Sequence, residues 1–239
     1  MNVHFKNAAL AIVFSTISLL AHADAKVDFF RAVGVDNASG VQKLIDGGLD
    51  PNARDERGQT GLILALREKS PKVTELLLAS PKVKVEERNG NDESPLMMAA
   101  LKGNLDAVNK LIARDADINK TGWAPLHYAA TTGQIEVMKV LLDKSAFIDA
   151  ESPNGSTPLM MAAMYGSTDA VKLLIDEGAD LNMKNQQNMT ALDFARKGNR
   201  PDAVDLITKA MAAKPAKPAA GRSPAAAPVP GARPADGKW

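Results

Sequence analysis

The 239-residue chain has no cysteine and only three histidines, His4, His22 and His127. Without cysteine there are no disulfides, thiolate metal sites or cysteine nucleophile. So few histidines leave little imidazole chemistry, and the first two fall in an N-terminal segment read below as removable. Neither sign of charge is in excess, with 29 Lys+Arg against 28 Asp+Glu. The chain therefore lacks the basic surface of a general nucleic-acid binder. A Gly-rich phosphate loop, a G-x-S-x-G elbow and an H-E-x-x-H site are also missing. These absences point to a binding protein rather than an enzyme, with no cofactor and no metal.

One apolar run stands out, Ala8 to Leu20, preceded by Lys6. A membrane-spanning helix needs about 20 apolar residues, and this run is shorter. A basic start, a short apolar core and small residues at a cleavage site describe a secretory signal peptide. Two such sites overlap, Ala21-His22-Ala23 and Ala23-Asp24-Ala25. The expectation is a signal peptide over residues 1–25, cut after Ala23 or Ala25, and a periplasmic, non-transmembrane product. A buried N-terminal helix is the alternative. At the other end, residues 214–239 are little more than Ala, Pro and Gly and carry Lys214, Lys217, Arg222, Arg233 and Lys238 against Asp236. Such a composition predicts a disordered basic tether. Such a tail reads first as a solubilising extension, with weak contact with an anionic cell wall or membrane surface as the alternative.

Between these ends the chain repeats itself. TGLILAL from Thr60, SPLMMAA from Ser94, APLHYAA from Ala124, TPLMMAA from Thr157 and TALDFAR from Thr190 align, at separations of 34, 30, 33 and 33 residues. Each is followed by a second apolar pattern, such as Val108-x-x-Leu111-Ile112 or Val171-x-x-Leu174-Ile175. A turn then follows, as in Gly48–Asn52, Asp115–Asn119 and Gly178–Asn182. Counting back one period from Thr60 reaches Val27. Six units result: 27–59, 60–93, 94–123, 124–156, 157–189 and 190–213. Ser94 and Thr157 suit helix N-caps, with Pro95 and Pro158 in the first helical position. Gly103, Gly133 and Gly166 are expected to end first helices in a left-handed turn, and Gly48 and Gly178 second helices. Asn52, Asn119 and Asn182 suit bonds to loop backbone, and Asp50, Asp117 and Asp180 read as loop-formers. Each helix is too short to persist alone, so neighbours must supply the core.

This pattern resembles the ankyrin repeat. The resemblance implies an all-α ankyrin-repeat solenoid of about six helix-turn-helix units with projecting loops. Two departures are visible. The unit from Thr60 has Pro81 where the turn glycine belongs and lacks the loop asparagine, and the unit from Ser94 is three residues short around Lys120–Trp123. His127 fills the family's Thr-Pro-Leu-His position, which implies that its imidazole ties loop backbone together. The resemblance also implies partner binding through loop tips and the concave helix face. At the tips stand Arg57, Gln59, Trp123, Gln187 and Met189, with Lys120 and Ser156 among their neighbours. Leu101, Met164 and Tyr165 stand at the helix ends. Trp123, beside the notch left by the shortened loop, is the expected hot spot.

The function implied is a non-catalytic protein-interaction module that assists or protects a periplasmic enzyme. The alternative is an immunity protein that inhibits an exported toxin. Two further readings are a Cu(I) site on the thioethers of Met160, Met161 and Met164, echoed by Met97 and Met98, and a two-carboxylate hydrolase.

Overall fold

Residues 24–213 are described by the computed structural model. The tail assigned to 214–239 and all but the last two residues of the signal peptide lie outside them. Among the described residues, six helix pairs follow one another. They are α1 (residues 24–34) with α2 (Ala38–Asp46), α3 (Gly61–Glu68) with α4 (Pro71–Ala79), and α5 (Pro95–Lys102) with α6 (Leu105–Ile112). Then come α7 (Pro125–Thr132) with α8 (Ile135–Asp143), α9 (Pro158–Tyr165) with α10 (Thr168–Asp176), and α11 (Ala191–Lys197) with α12 (Pro201–Ala213). An isolated antiparallel bridge joins Arg54 to Thr60. The helix pairs recur with the repeat motifs, and α1 begins three residues before Val27.

The described residues form two compact units that meet between Ala116 and Asp117 in the chain. In the first, α3 packs on α5 and α4 on both α2 and α6. In the second, α9 lies between α7 and α11, and α10 packs on α8 and α12. First helices thus stack on first helices, and second on second. The alanine pairs allow this. Ala99-Ala100, Ala129-Ala130 and Ala162-Ala163 are buried and present no side chain beyond Cβ. Leu62, Leu66, Leu77, Leu96 and Leu111 fill the first core, and Leu126, Leu141 and Leu159 the second. Each is worth about 1.5–3 kcal/mol on burial.

Local chemistry sets the helix starts. Thr60, Ser94, Thr157 and Thr190 each accept the backbone N–H three residues on, at 3.3–3.4 Å. Gly103 and Gly133 close α5 and α7 with φ of 67° and 66°, as expected. Gly166 corrects the reading: its φ is −78° and ψ −164°, which is extended. Glycine is required there for space, because a Cβ would lie 2.4 Å from the Ala130 carbonyl oxygen. After Pro81, where no turn glycine is available, Arg114 does the closing. Its guanidinium donates to the carbonyls of Leu78 (3.0 Å) and Val83 (2.6 Å) at the end of α4.

Loop asparagines bind one repeat to the next. Asn52 donates to the Lys82 carbonyl (2.9 Å) and accepts from Lys84 N–H (2.8 Å). Asn119 treats Ser145 and Phe147 in the same way, at 2.9 and 2.7 Å. Asn182 departs from the expectation. The matching turn would fall inside α12, which runs on as helix, and Asn182 is exposed. Asp50, Asp117 and Asp180 do form the loops, each accepting the backbone N–H two residues on at 2.9 Å.

Candidate protein-binding surface

One short polar side chain builds each projecting tip. Asp55, Asn89 and Asn185 each accept two backbone N–H groups on Oδ1, from residues two and four places on. The donors are Arg57 and Gln59 (2.9 and 2.8 Å), Asn91 and Glu93 (2.9 and 3.0 Å), and Gln187 and Met189 (both 3.0 Å). Ser152 serves the fourth tip, accepting Ser156 N–H at 3.0 Å and donating to Asn154 Oδ1 at 2.6 Å. A backbone bond closes each hairpin, from the N–H of the anchor to the carbonyl four residues later. All four anchors stand five residues before a helix cap. That spacing is visible in the sequence, although the anchor is Asp, Asn or Ser from one hairpin to the next.

The hairpins of the two units are tied differently. In the first, the Arg54 guanidinium donates to the Gly58 carbonyl at 2.7 Å, to the Arg88 carbonyl of the next hairpin, and pairs with Glu87. Lys84, 3.2 Å away, and then Arg54 hold the Glu87 carboxyl below the usual carboxylate range. In the second, neutral groups join the 152–156 and 185–189 hairpins. Gln186 donates its backbone N–H to the Asn154 carbonyl (3.0 Å) and its amide to the Pro153 carbonyl (2.7 Å). The shortened loop turns on Gly122 (φ 83°), where a Cβ would touch the Pro153 ring at 3.5 Å.

Behind the tips, in four of the five repeat motifs the fourth residue accepts the backbone N–H of the N-cap residue. The acceptor is sulfur in Met97 and Met160, imidazole Nδ1 in His127 and carboxylate in Asp193. The Thr190 backbone N–H and then its hydroxyl hold the Asp193 carboxyl below its ordinary range. His127 also reaches the next loop. Nδ1 accepts Ala124 N–H at 3.1 Å, so Nε2 carries the proton and donates to the Ser156 carbonyl at 3.0 Å. The ring is fully buried, and burial pulls its pKa down to about 4. It is a neutral brace between two loops, as the resemblance implied.

The structure sorts the sequence-derived contact residues. Arg57 and Gln187 are exposed, Tyr165 is 53% exposed, and Leu101, Met164 and Met189 are half-buried. Gln59 is corrected: it is 3% exposed, folded back with its amide on Asp55 at 2.9 Å. Lys120 and Ser156, also placed at tips, are buried as well. The reason for Gln59 and Ser156 is shared, since each donates its own N–H to the hairpin anchor. Trp123 is half-buried, its indole set edge-on to the His127 ring at 5.3 Å and 77°. Phe147, 55% exposed where other repeats place the loop-forming Asp, was missed. The Met97 and Met160 sulfurs are committed to backbone N–H groups. Among the described residues, no three His, Asp or Glu side chains gather to hold a metal ion, and no helix is long and apolar enough to cross a membrane.

Comparison with known proteins agrees with this geometry. A family model described as "Ankyrin repeats (3 copies)" matches residues 29–121, 71–152 and 146–217. The B-cell lymphoma 3 protein homolog of Mus musculus is 33% identical over 124 residues, 49% of this chain and 28% of that protein. Neurogenic locus notch homolog protein 2 of Homo sapiens is 28% identical over 150 residues, 61% of this chain and 6% of that protein. The chain thus spans less than a third of either relative. A solved complex of the Bd0816 predatory endopeptidase from Bdellovibrio bacteriovorus with immunity protein Bd3460 offers a structural neighbour. It matches with a TM-score of 0.66 and 28% identity, over 76% of this chain and 97% of that one.

Proposed function

This chain belongs to the ankyrin-repeat family, and we propose that it is an exported, non-catalytic module that binds and restrains a peptidase made by the same cell. The neighbour in the endopeptidase–immunity protein complex carries this reading, because the similarity covers 97% of that chain rather than one or two repeats. The assisting or protecting role expected from the sequence uses the same surface with the opposite outcome. We place the main contact on the second unit, at the Gln187–Met189 tip and the Met164–Tyr165 end of α9. First-unit tip charges such as Arg54, Glu87, Arg88 and Asp92 are already paired with one another, so their contribution to a partner is small. Export rests on the Ala8–Leu20 run, and sequencing the purified protein should find Asp24 or Lys26 at its start.

Crosslinking in a periplasmic extract, followed by a peptidase assay of the recovered partner, tests the reading. Peptidase activity should fall as the protein is added. A rise in partner activity, or its survival under stress, would favour the assisting role. Recovery of no specific partner would sink both.

A further inference from the structure

We propose that Met161 and Met164 form an oxidation-sensitive contact site. A hydroperoxide converts their thioethers to sulfoxides without unfolding the repeat, and this weakens partner binding at the second unit. The binding half rests on the function proposed above; the chemical half does not.

With no cysteine and ten methionines, the readily oxidised sulfur of this chain is all thioether. The structure divides these methionines. Met97, Met98, Met138 and Met160 are at most 2% exposed. Two of them, Met97 and Met160, also hold a backbone N–H on sulfur at 3.3 and 3.4 Å. Met161, Met164, Met183 and Met189 are half-buried and Met211 is exposed, all five in the second unit.

Met161 and Met164 are distinguished by their surroundings. Spaced i and i+3, they share one face of α9, next to exposed Tyr165. The rest of α9 is Pro, Leu, Met and Ala, so the Tyr165 hydroxyl is its single polar side-chain group. At the aligned positions of other repeats, α3 carries Leu64 and Arg67, and α11 carries Phe194 and Lys197. Oxidation would therefore write polarity onto the repeat whose first helix otherwise has least of it.

The step balances simply. A sulfur lone pair attacks the terminal peroxide oxygen, the O–O bond breaks, and the departing oxygen takes the proton, leaving as water from hydrogen peroxide or as an alcohol from an organic hydroperoxide. Sulfur loses two electrons and the peroxide gains them; enzymatic sulfoxide reduction reverses the change. The new S–O group is a strong acceptor in an apolar contact, and burying it unpaired against a partner should cost about tenfold in affinity or more.

The test treats the purified protein with hydrogen peroxide and follows each methionine by peptide mass spectrometry beside a thermal melt. Met161 and Met164 should each gain one oxygen on the timescale of Met211, while Met97, Met98, Met138 and Met160 stay reduced and the melt is unchanged. Met161 and Met164 staying reduced, or all methionines reacting together as the protein unfolds, would overturn the proposal. Binding of the crosslinked partner is then compared before and after peroxide for the wild type and for Met161→Leu/Met164→Leu, a swap that conserves volume. Whatever the variant's starting affinity, peroxide should lower it by a smaller factor than it lowers that of the wild type, with half-buried Met189 accounting for the remainder. Equal losses in both proteins would also overturn the proposal. If no partner is recovered, the functional reading fails, while the mass spectra still decide whether the site exists.

Discussion

The tip hairpins of the two units share one backbone plan and differ in how they are tied. Each has a short polar anchor, a backbone closure and a positive-φ turn residue, Gly58 and Asp92 in the first unit, Gly155 and Asn188 in the second. In the first unit, Arg54 joins neighbouring hairpins by charge and Glu87 answers it. In the second, Gln186 does so by neutral amide bonds. The difference separates framework from surface. The anchors dictate where a hairpin stands, while the tie dictates what chemistry remains for a partner. The pairs Arg54–Glu87 and Arg88–Asp92 occupy much of the charge at the first unit's tips. The 152–156 and 185–189 hairpins of the second unit carry no charged residue, and Gln187, Asn188 and Met189 stand at the surface between exposed Lys184 and the helix cap Thr190.

The largest effect should come from His127, which has two arms where Met97 and Met160 have one. His127→Ala strands Ala124 N–H and the Ser156 carbonyl in a buried site and should cost about 3 kcal/mol in urea unfolding. His127→Met keeps an acceptor for Ala124 and should cost about half as much. The ring also carries a pH signature. Its folded pKa is near 4, below the ordinary 6.5, so the unfolded chain takes up the proton first as pH falls. Its contribution is fully present above pH 6.5 and is lost as pH falls through that window toward 4, by up to about 3 kcal/mol. His127→Met should flatten this slope.

Trp123 comes next. The sequence reading predicts that Trp123→Ala weakens partner binding by about 2 kcal/mol with little change in melting temperature. Its edge-on contact with His127 gives the rival account weight, in which stability falls and binding follows the unfolded fraction. Measuring both on one preparation separates them.

Smaller effects should divide the two ties. Arg54→Ala should cost about 1–2 kcal/mol at low salt and less at high salt. Gln186→Ala should cost about 1 kcal/mol at either. Equal salt sensitivity in the two variants would remove the distinction. Smallest is a gain: Lys69 ends α3 at φ 58°, where α5 and α7 have glycine. Lys69→Gly should raise stability by about 0.5 kcal/mol, the relief of strain less the entropy of glycine.

Much of the fold was legible because the period and the caps are local. Ser94, Thr157, Pro95 and Pro158 announce helix starts by side-chain and ring chemistry that needs no partner. Gly166 misled because glycine serves two needs, a left-handed turn or close approach, and only the Ala130 carbonyl shows which. Gln59 misled because its burial follows from hydrogen bonds to Asp55, a tertiary fact. The anchors Asp55, Asn89, Ser152 and Asn185 were readable in principle from their fixed distance to the caps. Arg114 was not, since it acts on a turn about thirty residues away. For the surface, residue type and repeat position placed Met164, Tyr165 and Gln187 outward, but charge pairing in the first unit required the structure.

The salt dependence of partner affinity tests the central claim, that the uncharged surface of the second unit makes the main contact. Titrating the crosslinked partner from about 0.05 to about 0.5 M salt should change Kd by less than about threefold, because little charge is screened. A loss of about a hundredfold would place the interface on the charged tips of the first unit and contradict the account.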